Sequence, residues 1–172
     1  MRGVHPSSIL STLTVITTVL GYYSSMSKTP QVVHPSHWKA TKGYNAGMIA
    51  EGRQLFIAGQ IGWDAQQTFH SDDLIEQFAL ALDNILDVLK AANGDVKHIT
   101  EMTVYVTDLE GYRQRYRELG PIWRQRLGRH FPAMALVGVA GLVEERALVE
   151  IQARAVLPTS AGLPVLPTSE LL

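Results

Sequence analysis

The longest regular pattern in the chain is an apolar stripe. Leu74, Phe78, Leu82, Ile85 and Leu89, with Ile75 and Leu86 beside them, recur at the spacing of one helical face. Ser71 stands where a side chain can cap free backbone N–H groups, and Asp72 and Asp73 put negative charge at the positive end of the dipole. Asn93-Gly94 tolerates the left-handed conformation that ends a helix. The spacing therefore predicts a helix from near Ser71 to near Asn93.

Elsewhere apolar and polar residues alternate one by one, the period of a strand. From Ile99 to Thr107, Met102, Val104 and Val106 fall on one face and Glu101, Thr103 and Tyr105 on the other. Two short apolar runs, Gly47 to Ala50 and Leu55 to Gln60, are separated by Glu51-Gly52-Arg53-Gln54 and predict a hairpin. Asp108 can cap a second helix bearing Leu109, Tyr112, Tyr116 and Leu119, which Gly120-Pro121 should interrupt before Ile122, Trp123 and Leu127. Pro132 to Ala140 and Ala147 to Leu157 read as the last two strands, joined through Val143-Glu144-Glu145-Arg146.

The order strand, strand, helix, strand, helix, strand, strand implies an α+β domain with both helices on one face of a sheet. The opposite face would carry Glu101, Thr103 and Tyr105 with Glu150, Gln152 and Arg154, which alternate with apolar Val149, Ile151, Ala153 and Ala155. That face is too polar for a core and too regular for a random surface. Packing against further copies of the chain resolves the conflict, so self-association is expected.

Composition narrows the classes. In 172 residues, 46% hydrophobic and 18% charged content is that of a globular protein. Fifteen basic against 16 acidic side chains leave a net charge of −1, without the basic footprint of a nucleic-acid binder. The absence of cysteine excludes disulfides, thiolate metal sites and a cysteine nucleophile. It fits a reducing compartment, and a cytoplasmic location is expected. His34 and His37 have no third ligand spaced nearby, so no metal site is expected.

Residues 1–40 do not conform to the domain. Ile9 to Tyr23 is uncharged, but it is short for a membrane span and diluted by Ser11, Thr12, Thr14, Thr17 and Thr18. Met26-Ser27-Lys28 reads as an ordinary start, so an over-extended gene start, a targeting segment and an anchor stay open for the first 25 residues; membrane association is not expected. Residues 41–157 form the expected domain. Residues 158–172, with Pro158, Pro164 and Pro167, are expected to be a flexible tail.

Three ordered segments together resemble the RidA/YjgF, or reactive intermediate deaminase, family. They are Gly43-Tyr44-Asn45-Ala46-Gly47 with Gly52-Arg53-Gln54-Leu55-Phe56-Ile57-Ala58-Gly59-Gln60; Leu82-Asp83-Asn84-Ile85 with Met102-Thr103-Val104-Tyr105-Val106-Thr107-Asp108; and Phe131-Pro132-Ala133 leading to Leu148-Val149-Glu150-Ile151-Gln152-Ala153. The resemblance implies a chorismate-mutase-like homotrimer with clefts between subunits. It also implies hydrolysis of reactive enamines and imines to ketone and ammonia, without metal or cofactor. The family's cleft tyrosine corresponds to Tyr44 and its water-handling glutamate to Glu150. Its carboxylate-gripping arginine does not carry over, because Met134 stands there and apolar Leu136 follows two positions later. Methionine supplies none of the bidentate pairing of arginine, so a larger or less acidic substrate is implied.

Each candidate has a plainer reading. Glu150 is a catalytic base or a structural carboxylate paired with Arg154 or a neighbouring subunit. Tyr44 donates to substrate or anchors a loop. Asn84 and Gln60 line the cleft or satisfy backbone groups in its wall. Trp63 is a lid or packs its own loop. The missing cation could be replaced by Arg154, or by one of Arg124, Arg126, Arg129 and His130; a solvated helix end is the default for that cluster. The leading expectation is a deaminase of an enamine or imine, possible substrates including an aminomuconate-like compound; the competitor is a non-catalytic, small-ligand-binding or chaperone-like trimer.

Overall fold

The structure, a computed structural model, describes residues 29–159. The apolar N-terminal run and nearly all of the proline-rich tail lie outside the described residues. The predicted stripe forms α1, Leu74–Ala91, which buries Leu74, Ile75, Phe78, Ala81, Leu82, Ile85 and Leu89. Its cap is Asp73 rather than Ser71. Asp73 is the last extended residue, so its carboxylate accepts from the N–H groups of Ile75 and Glu76 at 2.9 and 3.1 Å. Ser71 lies two residues too early and instead accepts from the Asp73 N–H at 3.0 Å. At the far end Asn93 takes φ 57° and the Gly94 N–H returns to Leu89 O at 2.8 Å.

Among the described residues six strands complete the architecture: β1 Gln31–Val33, β2 Gly47–Ile49, β3 Arg53–Ile61, β4 Ile99–Val106, β5 Ala133–Gly138 and β6 Val149–Leu157. The main sheet has the order β3-β6-β4-β5. β6 pairs antiparallel with both β3 and β4, while β5 runs parallel to β4 because a helical crossover joins them. Alternation decides the two faces. Met102, Val104, Val106, Val149, Ile151, Ala153 and Ala155 join the α1 stripe in one core. On the open face the β4–β6 register sets Glu101 opposite Arg154, Thr103 opposite Gln152 and Tyr105 opposite Glu150. The α+β class and the uncovered polar face are those expected from the pattern.

Two expectations are corrected. β2 does not form a hairpin with β3; it pairs with β1, a strand lying before the expected boundary at residue 41. Gly52, at φ 151°, passes so close to the Leu157 carbonyl that a side chain would collide, and the chain enters β3 against β6 instead of folding back. The second helical region breaks earlier than Gly120-Pro121. α2, Leu109–Arg115, runs into a 3₁₀ turn at Tyr116–Glu118, and α3, Leu119–Leu127, then carries Pro121 in its first turn. Proline fits there because the first N–H groups need no partner, whereas continuing α2 through it would press its ring on the carbonyl of Arg117. α3 is held to α1 by the Arg126 fork on Asp83, both bonds 2.7 Å. Among the described residues no helix is long and apolar enough to cross a membrane.

Candidate active site

β5 is an edge strand, and its parallel register with β4 decides where its side chains go. Met134 sits beside Met102 and Leu136 beside Val104, so both point to the helix-covered side; Ala133, Ala135 and Val137 go to the open side. The helices do not fully fill the space over β5. A cavity of ≈ 520 Å³ remains, walled by Met134, Leu136 and Phe131, by Tyr112 and Tyr116, and by Trp123 of α3. Exposed Lys42 and Tyr44 border it.

The wall is fixed by packing and hydrogen bonds. Trp123 stacks on Phe131, 5.6 Å between centroids and 5° between planes, and its indole N–H donates to His130 O at 3.0 Å. The Tyr112 and Tyr116 rings lie 6.4 Å apart. Burial, and secondarily the neighbouring Tyr116, pushes the Tyr112 phenol above its ordinary range, so it stays a neutral donor. Lys42 has no ion-pair partner among the described residues.

Asn45 brings Tyr44 to this edge. Its side-chain amide donates to Phe131 O, its backbone N–H donates to Pro132 O at 3.0 Å, and it bridges Ala133 in parallel. Segment Gly43 to Ala46 is thereby clamped along the outside of β5. Tyr44 and Met134 consequently border a second hollow too, which carries Glu101, Thr103 and Ala135.

Glu150 lies on the other side of the sheet from Met134 and Leu136, because it pairs with Tyr105 on the open face. One protomer therefore does not bring Glu150 into the apolar cavity. Its half-buried carboxylate lies against Gly59, at an irregularity in β3 between Ile57 and Gln60. Among the described residues it has no side-chain hydrogen bond or ion pair. The expected alternative pairing with Arg154 is not formed. Arg154 is engaged by Glu101 at 3.3 Å and lies over the Phe56 ring at 5.1 Å.

The remaining candidates make contacts within the scaffold of one protomer. Asn84 donates to Ile61 O at 3.0 Å and Trp63 O at 2.9 Å, tying the end of β3 to α1. Gln60 donates to Ala58 O at 3.2 Å within the irregular stretch. Trp63 packs on Phe69, 6.1 Å between centroids. None of the three lines the apolar cavity. Arg126 is committed to Asp83, His130 Nε2 lies 2.7 Å from Ile99 O, and Arg124 and Arg129 are exposed. Among the described residues no three potential metal ligands cluster.

The sequence reading missed Lys42, Tyr112, Tyr116, Trp123 and Phe131 as cavity residues. Tyr112 and Tyr116 do recur four positions apart, but that spacing equally marks a core face. Gly59 was also missed as a neighbour of Glu150, although a glycine inside a strand signals close approach of another group.

The family model described as endoribonuclease L-PSP matches residues 35–157. The chain belongs to this family, the RidA/YjgF family of the sequence resemblance. The human protein named 2-iminobutanoate/2-iminopropanoate deaminase is 29% identical over 133 residues, covering 77% of this chain and 87% of its own. A RutC family protein of Pyrococcus horikoshii is 31% identical over 106 residues, 61% of this chain and 80% of its own. Among solved structures, the Rid family protein YyfB of Yersinia pestis superposes with a TM-score of 0.68 at 26% identity, covering 75% of this chain and 99% of its own. E. coli TdcF, solved with bound serine, gives 0.55 at 26% identity, with 74% and 98% covered.

Proposed function

We propose that this RidA/YjgF chain hydrolyses a reactive imine, or its enamine tautomer, to a ketone and ammonia. The observation that carries the reading is the condition of Glu150: a half-buried carboxylate with no partner among the described residues, on an ordered and otherwise unpartnered sheet face. A carboxylate so placed is free to handle water. The deaminase names of the relatives supply the reaction type. In the proposed step the water oxygen bonds to the imine carbon while Glu150 takes one water proton and returns it to the nitrogen. Collapse of the carbinolamine then forms the C=O bond, breaks C–N and passes the hydroxyl proton to departing ammonia.

The same reading takes the working unit to be a homotrimer in which a second copy covers the open face. What supports this is the separation, in one protomer, of Glu150 from the cavity bordered by Tyr44 and Met134. A nuclease reading has little behind it, since the net charge is −1 and Arg154 is already paired with Glu101.

A second reading, a small-ligand-binding trimer without turnover, is favoured by one observation: apolar Met134 stands where the family carries its arginine. Ammonia release from imino acids and aminomuconate-like compounds, compared between the natural chain and Glu150→Ala, separates the two. The deaminase reading expects a loss of about 10²- to 10⁴-fold, the usual worth of a positioned base. Equal rates would remove Glu150 from the mechanism. Ligand-induced thermal stabilisation without ammonia release would establish the binding reading.

A further inference from the structure

The cavity over β5 has a chemistry of its own. At ≈ 520 Å³ it is the size of a small-molecule site rather than a packing defect. Four aromatic rings, Tyr112, Tyr116, Trp123 and Phe131, with Met134 and Leu136, form its wall, and the stacked Trp123 and Phe131 are already rigid. Such a wall rewards a flat, polarisable group and offers a methyl group almost nothing, because ring-on-ring and sulfur-on-ring contacts scale with the surface that is covered. The polar groups around it are few: the phenols of Tyr44, Tyr112 and Tyr116, and the Lys42 ammonium, which has no ion-pair partner among the described residues. A site with an apolar, aromatic interior and one unpaired cation at its border suits an amphiphilic anion.

We propose that the cavity selects 2-imino acids, or their enamines, bearing an aromatic side chain, with the ring between Trp123 and Tyr112 and the substrate carboxylate on Lys42. The assignment rests on the deaminase reading and makes it specific. Lys42, the residue just before the segment clamped beside β5, takes over the charge of the absent arginine as a flexible point charge, so it grips less directionally than a fork. The ring wall then supplies the discrimination. Tyr44, which borders both this cavity and the hollow on the open side, stands where the reacting C=N group would pass from one to the other.

The test has two arms on the full chain. In the first, an amino-acid oxidase generates the imines of phenylalanine and alanine, and their hydrolysis is followed directly. We expect kcat/KM for the aromatic imine to exceed that for 2-iminopropanoate by about 100-fold, the scale that an apolar pocket reaches for more than one added methylene. In the second, phenylpyruvate and pyruvate, the stable product acids, are titrated while tryptophan fluorescence is read, with Trp123→Phe identifying the responding ring. Phenylpyruvate should bind and pyruvate should not, and Lys42→Ala should weaken phenylpyruvate about tenfold while leaving the uncharged phenylacetone unchanged. Met134→Arg should shift preference toward the small imine.

The outcomes separate the two claims. Preference for 2-iminopropanoate with no phenylpyruvate binding overturns this assignment and leaves the deaminase reading standing. Phenylpyruvate binding without hydrolysis of either imine supports the assignment of the cavity and overturns the deaminase reading. Neither binding nor hydrolysis overturns both.

Discussion

Glu150 occupies the space that a side chain on Gly59 would need. A Cβ added at Gly59 would run into the Glu150 carboxyl group, and the atoms it would meet belong to that flexible side chain rather than to backbone. The sheet can therefore accept Gly59→Ala by moving the carboxylate. If Glu150 is the proposed base, displacing it by about 1 Å costs up to ~10²-fold. The expected result is a fall in kcat of this order with the thermal midpoint changed by only a few degrees, read by ammonia release and calorimetry on the same preparation. Full activity in Gly59→Ala would mean that the position of Glu150 is immaterial to turnover.

Gln77 is a polar residue in the middle of the core, 1% exposed. Its amide nitrogen donates to Ser71 O and Arg146 O, both at 2.9 Å, and its carbonyl accepts from the Leu148 N–H at 2.8 Å. One side chain thus ties the start of α1 to the segment leading into β6. Gln77→Leu keeps much of the volume but strands three backbone groups, each worth about 1–3 kcal/mol when left unpaired in the interior. A loss of about 3 kcal/mol or more, roughly 10 °C in the thermal midpoint, is expected. A midpoint unchanged from the natural chain would show that water reaches these groups.

His98 sets a pH limit on stability. It is 7% exposed, and its Nδ1 accepts from the Asp95 N–H at 2.9 Å in a capping box, an arrangement that needs the nitrogen unprotonated. Burial, partly opposed by Asp95, pushes its pKa below the ordinary 6.5. Because the folded pKa is the lower one, the unfolded chain binds the extra proton first. The contribution of this group is intact above pH 6.5 and is lost as pH falls below it. Denaturant midpoints measured through this range should decline for the natural chain and decline less for His98→Gln, whose side-chain carbonyl can still accept the cap bond. Identical slopes would assign the acid sensitivity to other groups.

The parts of the molecule legible in the sequence are those governed by periodicity. The α1 stripe, the alternation of β4 and the polar open face follow from which residues avoid water, and neighbouring positions repeat the same message. Cap and break positions shift by a few residues because Ser71, Asp72 and Asp73 all qualify as caps, and backbone geometry chooses between them. The pairing of β2 with β1 was not legible, since it depends on how Gly52 meets the Leu157 carbonyl more than a hundred residues away. The site divides in the same way. Tyr44, Met134 and Glu150 could be named individually, but only the parallel register of β5 reveals that Met134 and Glu150 face opposite sides of the sheet. The aromatic cavity was hidden because a ring lining a hollow and a ring filling a core have the same sequence signature.

The open face makes the assembly testable. Phe56 is 67% exposed on β3, with the Arg154 guanidinium over its ring and Glu101 completing the row across the sheet. An exposed aromatic beside a salt-bridged arginine is the composition of a buried interface anchor. If further copies cover this face, introducing charge there removes apolar burial and strands a carboxylate between subunits, while each protomer keeps its own core on the opposite side. Phe56→Glu is therefore expected to convert a trimer into monomers in sedimentation velocity, with the far-ultraviolet circular dichroism unchanged. Arg154→Glu, which sets two carboxylates against each other at the Glu101 position, should do the same and should be partly relieved by adding Glu101→Arg. A natural chain that sediments as a monomer, or a Phe56→Glu variant that stays assembled, would separate the polar face from self-association and require Glu150 to work within a single protomer.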